Sequence, residues 1–239
     1  MATKRVQLLS FVFEESFTTG ILADMLIESS DDYSRFIIHD YDECYLDGIF
    51  CIKTNHNESI YDFQKGTFDR VVVERIECAK FSIDLDYGAM LVSGTNRIIT
   101  QLITALGTAL SNQVAIDKCD ISISRIIDNG IPGYYIRPKR AKLSEIPIEY
   151  GLLATCSLSF TQEEIRSSFL KKHRESIIQL VIGVSKSIPN QPNRDPDDHE
   201  LVCTVYRSGT VTLSINDDTF FDEQREFLYA LWNINGRIK

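Results

Sequence analysis

A strand, a glycine-centred turn, a second strand and an amphipathic helix occur twice in this chain, with the turn glycines Gly88 and Gly209 separated by 121 of its 239 positions. The first copy reads FSIDL, then Asp86-Tyr87-Gly88, then AMLVSGT, then a helical pattern from Asn96. The second reads ELVCTVY, then Arg207-Ser208-Gly209, then TVTLSIN, then a helical pattern from Thr219. Glycine tolerates the backbone angles that tight hairpins demand, and alternating apolar residues give a strand one buried face. The pattern predicts an α+β fold of two pseudo-repeated halves, each ending in a β-hairpin packed against an amphipathic helix. The expected division is an acidic N-terminal half, 1–120, and a C-terminal half, 121–239, closely packed as one globular unit.

Charge separates these halves more sharply than pattern does. Residues 1–120 hold 10 Lys/Arg against 19 Asp/Glu, so they carry the whole net charge of −9, while 121–239 hold 15 of each. An anionic partner therefore meets the second half more favourably. Within it, Arg137-Pro138-Lys139-Arg140-Ala141-Lys142 places four cations in six residues, directly after Tyr134 and Tyr135. Cations neutralise phosphates and neighbouring aromatics stack on bases, and the same composition can dock an acidic protein surface. The segment 131–144 shows neither strand nor helix periodicity and is expected to be a loop. Tyr134, Tyr135, Arg137, Lys139, Arg140 and Lys142 are thus the candidate anion or nucleic-acid contacts.

A second candidate surface lies on the helix expected over 96–112. Ile99, Leu102, Ile103, Leu106 and Leu110 recur with helical spacing and form its buried stripe. The opposite face carries Thr100, Gln101, Thr104 and Thr108, with Arg97 the helix's one charge. A wet helix face ordinarily carries Lys and Glu, so this face is expected to be covered, by its own chain or by another subunit.

Elsewhere the reading is coarser. Strands are expected near 5–14, 34–39, 48–54, 68–92 and 121–127, and short helices over 18–28 and 161–173, the latter from a capping box of Thr161 with Glu164. Residues 55–66 read as turn, and 189–198, with three prolines, as the clearest loop.

Catalytic signatures are sparse. The chain has no phosphate-cradling or dinucleotide glycine motif and no nucleophile elbow, and its histidines, 39, 56, 173 and 199, form no metal-binding pair on one element. Arg166 and His173 bracket six residues, a spacing that chance supplies readily. Asp84 and Asp86 alternate on one expected strand and could share a divalent cation. The cysteines at 44, 51, 78, 119, 156 and 203 show no zinc spacing, and several sit in apolar runs as reduced thiols do. No cofactor is expected, nor a membrane segment, and the location expected is cytoplasmic. The functional expectation is a non-enzymatic subunit or adaptor of an intracellular assembly, with other subunits or copies of itself as partners and nucleic acid as a further one. The alternative is a metal-dependent nucleic-acid hydrolase with a dispersed carboxylate site built on Asp84 and Asp86.

Overall fold

The computed structural model describes residues 2–13, 17–147, 152–160, 163–186, 200–215 and 221–234. The cap residues Thr161 and Thr219 and the proline-rich segment 189–198 lie outside these. The chain forms two compact units, one of residues 10–116 and the other of 1–9 with 117–239. Strand β1 (Ala2–Phe13) begins in the second of these and ends in the first.

The unit 10–116 contains helix α1 (Thr19–Glu28), strands β2 (Ser34–Tyr41), β3 (Tyr45–Asp62), β4 (Thr67–Asp84) and β5 (Ala89–Ser93), helix α2 (Asn96–Ala109) and most of β6 (Val114–Lys118). Its strands lie in the order β2-β3-β4-β5-β1, with β2 to β5 joined antiparallel. Both helices start where a threonine hydroxyl accepts a backbone N–H of the first turn, Thr18 from Ile21 and Thr95 from Ile98. Phe36, Phe50 and Phe81 form an aromatic core beside Leu22, Leu26, Leu102 and Leu106. Beyond Ile52 and Cys78, β3 and β4 continue as a two-stranded ribbon to a turn at 63–66.

The other unit contains helix α3 (Ile123–Asn129), strands β7 (Tyr134–Pro147) and β8 (Leu153–Ser159), helix α4 (Glu163–His173), strands β9 (Ile177–Lys186), β10 (Leu201–Tyr206) and β11 (Thr210–Ile215), and helix α5 (Asp222–Ile234). Its strand order is β1-β11-β10-β9-β7-β8, antiparallel at every step.

These elements correct the α+β expectation. Strand occupies 54% of the described residues and helix 26%, with eleven strands and five α-helices among them, so the fold is predominantly antiparallel β. Neither do the units match element for element, since β8 and α4 stand between β7 and β9 while β2 passes directly to β3. Three segments account for the excess of strand. Residues 55–62, expected as turn, belong to β3, whose ribbon partner supplies its hydrogen bonds while polar side chains face water on both sides. Residues 134–144, expected as loop, form most of β7. β8 carried no recognised signal at all. Conversely, the strand expected at 121–127 is helix α3: the Ser122 hydroxyl accepts from Arg125 N, Ile123 and Ile126 bury together, and Gly130 ends it at φ +74°.

The turn at Gly209 is held from several directions. Gly209 adopts φ +78°, its carbonyl accepts from Leu8 N at 2.9 Å, and Arg207 O accepts from Ile121 N at 2.8 Å. Buried Gln7 completes the clamp, donating from Nε2 to Ser208 O at 3.0 Å and accepting at Oε1 from the Thr210 hydroxyl at 2.8 Å. Gly88, at φ +58°, gives its carbonyl to Phe11 N at 2.9 Å. No helix among the described residues is long and apolar enough to cross a membrane.

Candidate nucleic-acid interface

The basic stretch is an interior strand of its sheet, since β7 pairs with β9 on one side and β8 on the other. In a regular strand Arg137 and Arg140, three residues apart, would project to opposite faces. Here the register steps from Pro138 opposite Ile182 to Arg140 opposite Val181, leaving Lys139 as the extra residue of a bulge. The bulge resets the alternation, so that Tyr135, Arg137, Arg140 and Lys142 share one face. Pro138, which has no N–H to offer a ladder, sits beside that irregularity as prolines in sheets do.

Two parallel rows of side chains show which face is which. Val6, Val211, Val205, Leu180 and Ala141 follow one another across β1, β11, β10, β9 and β7, and all are buried. One residue along each strand, Arg5, Thr212, Thr204, Val181, Arg140 and Ser159 make the opposite row, in which no side chain is buried and Arg5, Arg140 and Ser159 are exposed. Gln179, Lys142 and Ser157 form a second polar row. Strand spacing puts Arg5 about 19 Å from Arg140. Among the described residues none forms an ion pair with Arg5, Arg140 or Lys142. Core side chains and helix α5 occupy one face, and a polar, cation-bearing surface forms the other.

The remaining candidates divide. Tyr134 points to the helix side, where its ring meets Phe227 at 5.3 Å, and burial, with the charge of Glu226, raises its phenol above the usual range. Tyr135 stands on the open face, exposed. Arg137 donates from Nε and Nη2 to the two carboxylate oxygens of Glu200 at 3.1 and 3.0 Å, and Lys139 Nζ donates to the same group. The Glu200 side chain is only 10% exposed. Burial alone would raise its pKa, but the hydrogen bonds from Lys139 and Arg137 outweigh it and hold the carboxyl below the usual range. Gly183 makes room for this carboxylate, because a Cβ there would stand 1.8 Å from Glu200 Oε1. Arg140, Lys142 and Tyr135, singled out from the sequence, lie on the polar face; Arg5, Thr204 and Thr212, which strand alternation alone could have signalled, lie on it beside them.

On α2, Thr100, Thr104 and Thr108 are exposed and Gln101 is half-buried, so the chain itself does not bury the three threonines. Each hydroxyl donates to the carbonyl four residues earlier, Asn96, Thr100 and Thr104 respectively, at 2.9 to 3.1 Å. This satisfies the hydroxyls within the helix and leaves methyl groups outward. Thr104→Glu is therefore expected to change stability of the isolated chain by no more than about 0.5 kcal/mol. Thermal melting beside native mass measurement checks it: an unchanged melting temperature with a lost oligomer marks partner contact.

Asp84 and Asp86 do not form a strand pair. Asp84 ends β4, 7% exposed, with Oδ1 accepting from Tyr87 N at 2.9 Å, whereas Asp86 lies in the following turn. There the Cys44 thiol hydrogen-bonds to Asp86, which together with desolvation pushes that thiol up to about 11. Among the described residues no three His, Cys, Asp or Glu side chains are grouped to hold a metal ion. No protein family matches the chain, and no curated protein matches it either.

Proposed function

We propose that this chain is a non-enzymatic subunit or adaptor of an intracellular, cytoplasmic assembly, and that it contacts nucleic acid through the open face of β1, β11, β10, β9 and β7. The supporting observation is the row from Arg5 through Thr212, Thr204 and Val181 to Arg140, which sets exposed cations at both ends and half-exposed hydroxyls between them on one sheet face. Phosphate contacts in such interfaces come from Arg and Lys together with Ser and Thr hydroxyls, and exposed aromatics stack on bases. Tyr135 supplies the aromatic ring. Nucleic acid is favoured over an acidic protein because hydroxyls and an aromatic accompany the charges. The methyl-lined face of Thr100, Thr104 and Thr108 is the proposed contact for a neighbouring subunit.

Titration of labelled duplex and single-stranded DNA and RNA against salt tests this reading. Three phosphate-neutralising side chains, Arg5, Arg140 and Lys142, correspond to a log–log slope of about −2 to −3. Changing all three to Ala is expected to remove most of that slope while the melting temperature stays within a few degrees. Negligible nucleic-acid binding at low salt overturns the reading, and loss of a protein partner by the same triple variant then points to an acidic protein surface.

A further inference from the structure

Cys51 and Cys78 face each other across β3 and β4, as direct register partners, with their sulfurs 2.6 Å apart. Both are free thiols; Cys78 is exposed and Cys51 half-buried. They sit where the core of the unit 10–116 gives way to the two-stranded ribbon, and Arg35 of β2 is the next residue in the same transverse row. Cys51 also lines an open cleft of about 340 Å³ whose charged lining is balanced, Arg35 and Lys53 against Asp31 and Asp32. The four remaining cysteines lack this arrangement: Cys119 and Cys203 are buried, Cys44 hydrogen-bonds to Asp86, and Cys156 stands on β8 opposite Leu143.

We infer that Cys51 and Cys78 form a reversible redox site that exchanges with small disulfides of the glutathione type. Direct cross-strand neighbours have Cα separations of about 4.5 to 5.5 Å, within the range a disulfide spans. The exposed thiol reacts first. Cys78 Sγ, as thiolate, attacks one sulfur of glutathione disulfide; a Cys78–glutathione bond forms, the original S–S bond breaks, and one glutathione thiolate leaves and takes up a proton. Cys51 Sγ then attacks Cys78 Sγ, forming the cross-strand disulfide and expelling the second glutathione, which receives the Cys51 proton. The two protein thiols are oxidised by two electrons and the glutathione disulfide is reduced to two thiols. Burial, then the hydrogen bond with Cys78, pushes the Cys51 thiol up to about 12, which fits its role as the second thiol.

Incubation of the full chain with glutathione disulfide, followed by alkylation and peptide mass mapping, tests the assignment. The expected product has two of its six cysteines protected from alkylation, in one cross-linked pair of peptides holding Cys51 and Cys78, and dithiothreitol restores both. Cys51→Ser is expected to stop at a single glutathione on Cys78. Cys78→Ser is expected to leave Cys51 at least about tenfold less modified than Cys78 in the Cys51→Ser chain. Both variants are near-isosteric and can be checked for folding by their melting temperatures. Cross-links distributed among other cysteines, no Cys51–Cys78 link, or equal modification of the two single variants would each overturn the inference.

Discussion

Gly209→Ala is expected to lower the melting temperature by roughly 10 °C, far more than the same change at other glycines with positive φ. Two costs combine. A residue with a Cβ pays about 1–2 kcal/mol for left-handed backbone angles, and Gly209 sits at φ +78°. The added Cβ would also stand 1.9 Å from the backbone carbonyl oxygen of Cys119, a contact that no rotation of a side chain can relieve. Forcing that carbonyl away disturbs the clamp of Gln7, Ser208, Thr210 and Leu8 around the turn, and such overpacking costs about 1–3 kcal/mol more. For a chain of this size each kcal/mol corresponds to about 2–4 °C. Gly133 is the control: it has φ +80° and nothing within 4 Å of an added Cβ, so Gly133→Ala carries the backbone cost alone. Gly88→Ala, whose Cβ would lie 3.2 Å from Phe11 O, should fall between them. Parallel thermal melts decide the matter, and a Gly209→Ala chain as stable as Gly133→Ala would show that the turn is not clamped as described.

Particular residues explain how far sequence reading reached. Gly88 and Gly209 announced hairpins because their flanking strands bury one face, so Phe81, Ile83, Val205 and Val211 alternate with less buried or polar residues. The apolar stripe of α2 was equally plain. The β3–β4 ribbon was half-legible: Val71 and Val73 mark β4, but Asn55, His56, Asn57 and Glu58 on β3 face water, so no alternation records their pairing. The isoleucines of α3 suggested a strand, and only the Ser122 cap and Gly130 terminator tip them to a helix. In β7 the bulge at Lys139 is responsible. It shifts the period by one residue, so that a two-residue pattern fails across the whole segment even though both flanks are strand. The same shift brings Arg137, Arg140 and Lys142 to one face, which no count of residues could anticipate. Glu200 was equally hidden, since its partners lie 61 and 63 positions away. Long-range pairing across β7, β9 and β10 creates that site, and local pattern does not report it.

Glu200→Gln is expected to strengthen nucleic-acid binding while weakening the fold. In the native chain the carboxylate hydrogen-bonds both Arg137 and Lys139 and cancels one of their two charges, while Arg5, Arg140 and Lys142 are the exposed cations of the open face. Removing its charge adds one unit of positive charge to that face, so the log–log salt slope should steepen from about −2 to −3 toward about −3 to −3.5. Affinity at low salt should rise at least about tenfold. The fold bears the opposite effect. Hydrogen bonds from Arg137 and Lys139 hold the Glu200 carboxyl below its unfolded value, so its stabilisation is present above the unfolded pKa and is lost as pH falls through the folded one. The variant should therefore be less stable than the native chain at pH 7, and the gap should close in acid once native Glu200 is itself protonated. Urea melts at neutral and acidic pH, with salt titrations of a labelled duplex at pH 7, measure both effects. An unchanged salt slope in a variant that has lost stability would mean that Arg137 and Lys139 brace the strand without facing the ligand, and the contact surface would shrink to Arg5, Arg140 and Lys142.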